Sequence, residues 1–307
     1  MRNIALGICL FIAVALAGCK KNKTTPLPAE LSVVLIEPGQ APLQLLRYVI
    51  APDTVVESLL EIRDVDATIE ATDDSEDAFG VLPGFKLVLH AGPTVPLPNG
   101  TRFVLRISEA ESVVPQGVTE RERAELEQGV QALQGMRGRF DFNEQGIVVD
   151  EDVPWAEGQQ RIHPRVTIMI GNIRSALATI PLPQEPVGIG AVWEVRRPLR
   201  IWSARVMQVT RYELTDRVAN RFRVAITVHQ EAAPQVADLN PELEMHVRAY
   251  QLHGRGHALA DLGLPLALEA SLKSSSVADI ALVSPEKTEP LMASRRSVVR
   301  LVSESER

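Results

Sequence analysis

The chain has 307 residues, of which 45% are hydrophobic, 23% charged and 4% aromatic, and its formal net charge is −7. The hydrophobic fraction can build a core, which excludes a largely disordered chain, and the length suffices for about two domains. The acidic charge and the few aromatic residues argue against a nucleic-acid surface, which needs a basic stripe and stacking platforms.

The first 18 residues have the pattern of a secretory signal peptide. Arg2 supplies the positive charge, and residues 4–17 form an uninterrupted run of apolar or small residues. Lys20 and Lys21 close this run soon afterwards. A membrane-spanning helix needs about 20 apolar residues. The pattern therefore predicts export rather than a membrane span.

The signal segment ends in Leu16-Ala17-Gly18-Cys19. This sequence resembles the lipobox of bacterial lipoproteins, and an ordinary secretory signal that happens to end in cysteine is the alternative. The resemblance implies that Cys19 becomes the mature N-terminus and carries a diacylglyceryl group on its thiol. Two or more acyl chains make a stable membrane anchor. We therefore expect a lipid-anchored protein of the bacterial cell envelope that faces the periplasm or the cell exterior.

The chain has only two cysteines, Cys9 and Cys19. Cys9 lies in the segment expected to be removed and Cys19 is expected to carry lipid, so we expect neither a disulfide nor a thiol nucleophile. Residues 19–30 are mostly polar and contain two prolines. Such a composition is typical of a tether between an anchor and a folded body.

Strand patterns dominate the rest of the chain. The region Arg221–Val228 alternates apolar with polar or small residues, as expected for an antiparallel sheet with one solvated face. Short runs rich in Val, Leu and Ile predict strands over residues 31–36, 43–50, 85–90, 102–108, 139–142, 192–195, 204–214, 221–229, 246–252, 264–272 and 297–302.

Helix signals are few. Thr119 and Glu122 have the spacing of a capping box, and an apolar stripe follows until about Gly135. A second amphipathic helix is predicted over 165–178, before Pro181. Asn240-Pro241 could begin a brief third helix. The predicted fold class is mainly β (α+β), with two tandem antiparallel β domains that each carry an amphipathic helix.

The predicted domain boundary lies near residue 158, which gives an N-terminal β-rich domain over 31–158 and a C-terminal one over 159–307. A weak repeat at an offset of 118 or 119 residues aligns Thr101–Ser108 with Asn220–Thr227, and duplication and chance similarity both remain open. The stretch Pro181–Trp193 combines prolines, glycines and a tryptophan. It resembles an element before the last β domain of uncharacterised envelope lipoproteins, a likeness that implies fold and location but no activity.

Several patterns suggest chemistry only weakly. Gly188-Ile189-Gly190 lacks the strand-to-helix setting of a dinucleotide site, and Asp73, Ser75 and Asp77 lack the glycine and glutamate of a calcium loop. A glycine-rich turn or bulge explains His253-Gly254-Arg255-Gly256-His257 best, although zinc binding with His246 or Asp261 stays open. No nucleophile elbow or triad signature is present.

These patterns favour binding over catalysis, with no catalytic, cofactor or metal residue assigned and Cys19 as the lipidation site. We expect a non-catalytic protein that binds an amphiphile or a partner protein, because envelope lipoproteins with curved sheets shelter acyl chains; this is an analogy of fold. The alternative is a structural or assembly lipoprotein that docks through a sheet edge or the acidic stretch 61–77. A metal-dependent enzyme that uses His253 and His257 is the third possibility.

Overall fold

The computed structural model describes residues 31–71, 84–114, 118–152, 179–201, 204–240, 243–285 and 287–305. In this part of the chain the elements are β1 (Ser32–Glu37), β2 (Val56–Ala71), β3 (Gly84–Ala91), β4 (Val95–Leu97), β5 (Gly100–Val113), α1 (Glu120–Gln131), β6 (Arg137–Asn143), β7 (Val148–Asp152), β8 (Val192–Ile201), β9 (Ala204–Val218), β10 (Arg221–Ala232), β11 (Gln235–Asn240), β12 (Leu243–Asp261), β13 (Glu269–Val283) and β14 (Thr288–Ser305).

All fourteen strands belong to one antiparallel sheet. Its order is β1-β8-β9-β10-β12-β13-β14-β2-β3-β5-β6-β7, with β11 beside β12 and β4 beside β5. Strands β2 and β14 join the two halves of the chain, from Val56 opposite Ser305 to Ala71 opposite Leu291. The mainly β, antiparallel prediction is confirmed. The division at residue 158 lies outside the described residues and stays a prediction.

Alternation along the strands gives the sheet two different faces. On β10, Phe222, Val224 and Val228 are buried, whereas Arg221 and Glu231 are exposed on the opposite face. We call the face that carries Phe222 the inner face. Adjacent strands keep this register, so that buried residues of one strand lie beside buried residues of the next.

The main core lies on the inner face and includes residues from both ends of the sheet. Its fully buried large side chains include Trp193, Phe85, Phe142, Phe222, Leu46 and Leu60. Burial of this apolar area is the dominant stabilising term for the fold. Because Trp193 near one end of the sheet and Phe142 near the other share one cluster, the two ends are held together by a common core.

Two irregular segments connect the ends. In the first, Tyr48 donates its backbone N–H to Glu144 O at 2.8 Å, and Val49 donates to Leu262 O at 2.8 Å. The Tyr48 ring contacts Phe142 edge-on at a centroid distance of 6.0 Å. In the second, Trp193 Nε1 donates to Pro181 O at 2.8 Å. These contacts bind the segments before β2 and before β8 to the sheet.

Two predictions are wrong and a third is correct only in part. Residues 43–50 form no strand, because apart from a single bridge at Gln44 the backbone bonds of this segment go to different partners. The strand predicted over 264–272 is correct only from Glu269, where β13 begins. No helix starts at Asn240, because β11 ends there and β12 begins at Leu243.

The helix predicted after Thr119 is confirmed. Helix α1 begins directly after its N-cap residue Thr119, and both hydrogen bonds of the capping box between Thr119 and Glu122 are present. Leu126 and Val130 turn inward and are buried. The second predicted helix, over 165–178, lies outside the described residues.

Candidate functional site

A small apolar cluster lies on the inner face, separate from the main core. It consists of Ala204, Ala237, Met245, Val247, Ala278, Ile280 and Leu291. A shallow cavity of about 20 Å³, which is room for about one water molecule, opens above it. We call this the apolar pocket; its lining residues are Ile201, Ala204, Val206, Ala232, Met245, Val247, Tyr250, Ala278 and Ile280.

A row of polar side chains crosses the inner face beside the apolar pocket. Tyr250 OH donates to Gln230 Oε1 at 2.9 Å, and Gln230 Nε2 donates to Gln208 Oε1 at 2.6 Å. Gln208 Nε2 in turn donates to Thr210 Oγ1 at 3.1 Å. Gln230 and Thr210 are buried. We call these four residues, together with Arg197, the polar row.

The polar row lies between the apolar pocket and the main core. On β9, Val206 lines the pocket, Gln208 and Thr210 belong to the row, and Leu214 belongs to the core. These residues share one face because they alternate along a strand. The inner face therefore changes from apolar to polar and back to apolar along β9.

Arg197 lies at the β8 end of the row, opposite Gln208 in the register. It shares a face with the buried Trp193 and Val195. Burial lowers the pKa of the Arg197 guanidinium, and the neighbouring Tyr212 opposes this shift. No carboxylate in the described part of the chain contributes to the pKa of Arg197. A partly desolvated cation without a counter-charge is an unfavourable arrangement.

A second arginine, Arg295, lies near the other end of the row. Burial raises the pKa of Tyr250 to about 12, so that this phenol is neutral and can donate at neutral pH. Arg295 on β14 opposes this shift, which places its charge close to the phenol. The row therefore combines neutral donors and acceptors with a guanidinium near each end.

The histidines singled out in the sequence do not converge. His253-Gly254-Arg255-Gly256-His257 is regular strand in β12, so the prediction of a turn or bulge is wrong. The glycines allow close packing, because a Cβ at Gly256 would lie 2.0 Å from Ser271 O.

The histidines have other partners. His253 Nδ1 lies 3.3 Å from His229 Nδ1 on β10, a neighbour that the sequence did not indicate. His246 contacts Glu244, and Asp261 pairs with Arg221 at 3.3 Å. Among the described residues, no three metal-binding side chains meet.

The remaining sequence candidates fall in different places. Gly188-Ile189-Gly190 forms a turn that leads into strand β8, and Gly190 has a φ of +83°. Residues 61–71 of the acidic stretch belong to β2, which pairs with β14 along its whole length, whereas β3 pairs only with Val56–Ile62. Cys19, Asp73, Ser75 and Asp77 lie outside the described residues.

The polar row was not predicted from the sequence. Its only signal was the presence of Thr210 and Gln230 at positions where the alternation of β9 and β10 would place apolar residues. Without the strand register, these polar residues could not be placed beside Arg197 and Tyr250.

No protein-family model matches this chain, and no curated protein matches it. The described residues contain no helix that is both long and apolar enough to cross a membrane.

Proposed function

We propose that this protein is a lipid-anchored protein of the bacterial cell envelope that binds an amphiphile on the inner face of its sheet. The observation that supports amphiphile binding is the apolar surface around the pocket, which lies next to the polar row. Small-molecule sites are mostly apolar with a few convergent polar groups. The pocket is lined by apolar side chains such as Val206 and Ile280, and Tyr250 and Gln230 supply polar groups at its border.

Cys19 is the proposed anchor. The sequence Leu16-Ala17-Gly18-Cys19 supports this, with the short apolar run before it. Mass spectrometry of the N-terminal peptide from membranes tests the anchor. We expect a chain that begins at Cys19 with acyl groups attached, whereas Cys19→Ser should lack them. An unmodified Cys19, or a chain that begins elsewhere, would refute the anchor.

Amphiphile binding is tested with a neutral fluorescent probe, N-phenyl-1-naphthylamine. The protein is residues 19–307 with Cys19→Ser, so that no attached acyl chain competes for the pocket. Ala278 lines the apolar pocket, and the adjacent Val277 is 52% exposed on the other face. We expect Ala278→Trp to fill the pocket and weaken probe binding about ten-fold or more.

The matched control is Val277→Trp, which adds the same side chain one residue away on the outer face. It should leave binding unchanged. Absence of probe binding by the unsubstituted protein, or equal effects of the two substitutions, would contradict the proposed site. Circular dichroism of each variant verifies that the strands have formed.

A structural or assembly role is the second candidate. Among the described strands, β1 pairs only with β8, and its Val34 and Ile36 are 44% and 46% exposed. A sheet edge with exposed apolar side chains can add a strand from a partner protein. A photo-crosslinking residue at Val34, compared with one at the equally exposed Met207 away from the edge, tests this in cells. Crosslinks to one defined envelope protein from Val34 alone would favour it.

A further inference from the structure

We propose that His229 and His253 together bind one zinc ion on the outer face of the sheet, through the Nδ1 atoms of their imidazole rings. The observation behind this proposal is the distance between the two Nδ1 atoms, which is 3.3 Å. Imidazole nitrogen is among the ligands that Zn²⁺ prefers in proteins. We call these two residues the histidine pair. The proposed zinc site is independent of amphiphile binding, which is assigned to the inner face.

The first step is the register that brings the two rings together. His229 on β10 lies directly opposite His253 on β12. In an antiparallel pair, directly opposite side chains point to the same face, and their Cβ atoms are about 4.5–5.5 Å apart. Val228 and Gln230 are buried on the inner face, so the histidine between them points outward. The side chain of His229 is 36% exposed, and an ion in solution can therefore reach it.

The second step is the match between the Nδ1 separation and zinc geometry. Zn–N bonds of about 2.0–2.1 Å at a tetrahedral angle place two ligating nitrogens about 3.3–3.4 Å apart. Two neighbouring ligands of a square-planar ion would be only about 2.8–3.0 Å apart. The ring centroids of the histidine pair are 4.6 Å apart, farther than the Nδ1 atoms, so both nitrogens lie on the facing edges of the rings. The backbone thus holds the pair at the spacing that a tetrahedral ion requires.

The third step is the protonation state of His229. Glu231 Oε2 lies 3.5 Å from His229 Nε2. An ionised carboxylate only accepts hydrogen bonds, so this contact favours the ring form with the proton on Nε2 and a lone pair on Nδ1. Histidines that bind a metal usually donate their other ring N–H to a carboxylate or a carbonyl, which orients the ring and makes the ligating nitrogen more basic.

The fourth step is the charge around the histidine pair. Glu231 lies two residues along β10 and Arg255 two residues along β12, in opposite directions from the pair, so that their charges offset each other. The flanking residues in the same row, Val209 on β9 and Ser275 on β13, are uncharged. In the described part of the chain no third metal-binding side chain joins the pair. Two water molecules would therefore complete the tetrahedron.

Isothermal titration calorimetry with zinc chloride tests the site. The protein is untagged residues 19–307 with Cys19→Ser, which also removes the thiol that would compete for zinc. We expect one Zn²⁺ per chain. His229→Ala and His253→Ala should each weaken binding at least about ten-fold, because each removes one of the two protein ligands.

The matched control is His257→Ala. His257 also lies on β12 and faces outward, and its Nε2 is 3.5 Å from Glu269 Oε1. Its partner across β10 is Ala225 rather than a second histidine. We therefore expect His257→Ala to leave zinc binding unchanged. Circular dichroism of each variant verifies that the strands have formed.

Two further measurements separate the histidine pair from general attraction of cations to an acidic protein. Mg²⁺ prefers oxygen ligands, so an excess of magnesium chloride should leave zinc binding unchanged. In long-range ¹H–¹⁵N spectra of the histidine rings, zinc should shift the Nδ1 signals of His229 and His253 and leave those of the other histidines in place. The proposal would be overturned by an unsubstituted chain that does not bind zinc, by binding that survives both alanine substitutions together, by effective competition from Mg²⁺, or by shifts confined to other histidines.

Discussion

Replacement of Trp193 tests how the sheet is held together. Trp193 is fully buried, and its ring stacks on Tyr212 with centroids 5.5 Å apart and planes inclined by 20°. Its indole N–H also donates to Pro181 O, which ties the segment before β8 to the inner face. One side chain therefore links the core, a neighbouring strand and an irregular segment.

The expected cost separates into two parts. Trp193→Phe keeps an aromatic ring near Tyr212 but deprives the buried Pro181 O of its donor, which costs about 1–3 kcal/mol. Trp193→Ala also removes the ring and leaves a cavity, and such substitutions cost about 3–5 kcal/mol. We therefore expect the free energy of unfolding to fall in the order wild type, Trp193→Phe, Trp193→Ala.

Urea denaturation followed by far-ultraviolet circular dichroism measures this order. The midpoint should fall for both variants with little change in the denaturant slope. Met207→Ala on the exposed outer face of β9 is the control and should lie within about 0.5 kcal/mol of wild type. If Trp193→Ala behaved like Met207→Ala, the packing of Trp193 in a shared core would be refuted.

Three further substitutions have defined outcomes. Gly256→Ala should lower the free energy of unfolding by about 1–3 kcal/mol in urea denaturation, because the added Cβ would collide with Ser271 O. A midpoint equal to that of wild type would contradict the register of β12 and β13. Thr119→Ala should cost about 1 kcal/mol by thermal denaturation through loss of the capping box, and Thr119→Ser should restore most of it. Arg102 donates two hydrogen bonds of 2.7 Å to Asp141 and holds the pKa of that carboxyl below its ordinary range. This stabilisation is complete above the unfolded pKa of about 3.9 and is lost as the pH falls through the depressed folded value. The stability gap between wild type and Asp141→Asn should therefore shrink between pH 5 and strongly acidic pH, and a constant gap would contradict the pairing.

Alternation in the sequence predicted most of the strands but not their partners. The pattern over 43–50 correctly indicates alternating burial, since Leu46, Tyr48 and Ile50 are buried. Its backbone bonds, however, go to residues far apart in the sequence, such as Glu144 and Leu262. Periodicity reports which side chains face the core, and it carries no information about which carbonyls lie within reach.

Strand β2 was not predicted from the sequence. Its acidic residues were interpreted as part of a docking segment over 61–77, yet the register places Glu61 opposite Arg300 of β14. Opposite charges directly across an antiparallel pair are favourable, so acidic and basic strands can be neighbours within a sheet. The arginines of β14 were visible in the sequence, but their pairing across more than 200 residues was not.

The weak repeat in the sequence has a local counterpart in the structure. Asn143 and Asp261 are separated by the same offset of 118 residues. Each ends a strand, and its side chain accepts a hydrogen bond from the backbone N–H two residues later, at 3.0 Å from Gln145 and 2.9 Å from Gly263. Such side-chain bonds to the following turn are typical of Asn and Asp.

The first residues of these two turns, Glu144 and Leu262, bind the same dipeptide. Glu144 O and Leu262 O accept from the consecutive backbone N–H groups of Tyr48 and Val49. One dipeptide therefore binds both turns. This arrangement explains why the segment 43–50 is not a strand: it bridges two turns instead of pairing with one neighbour.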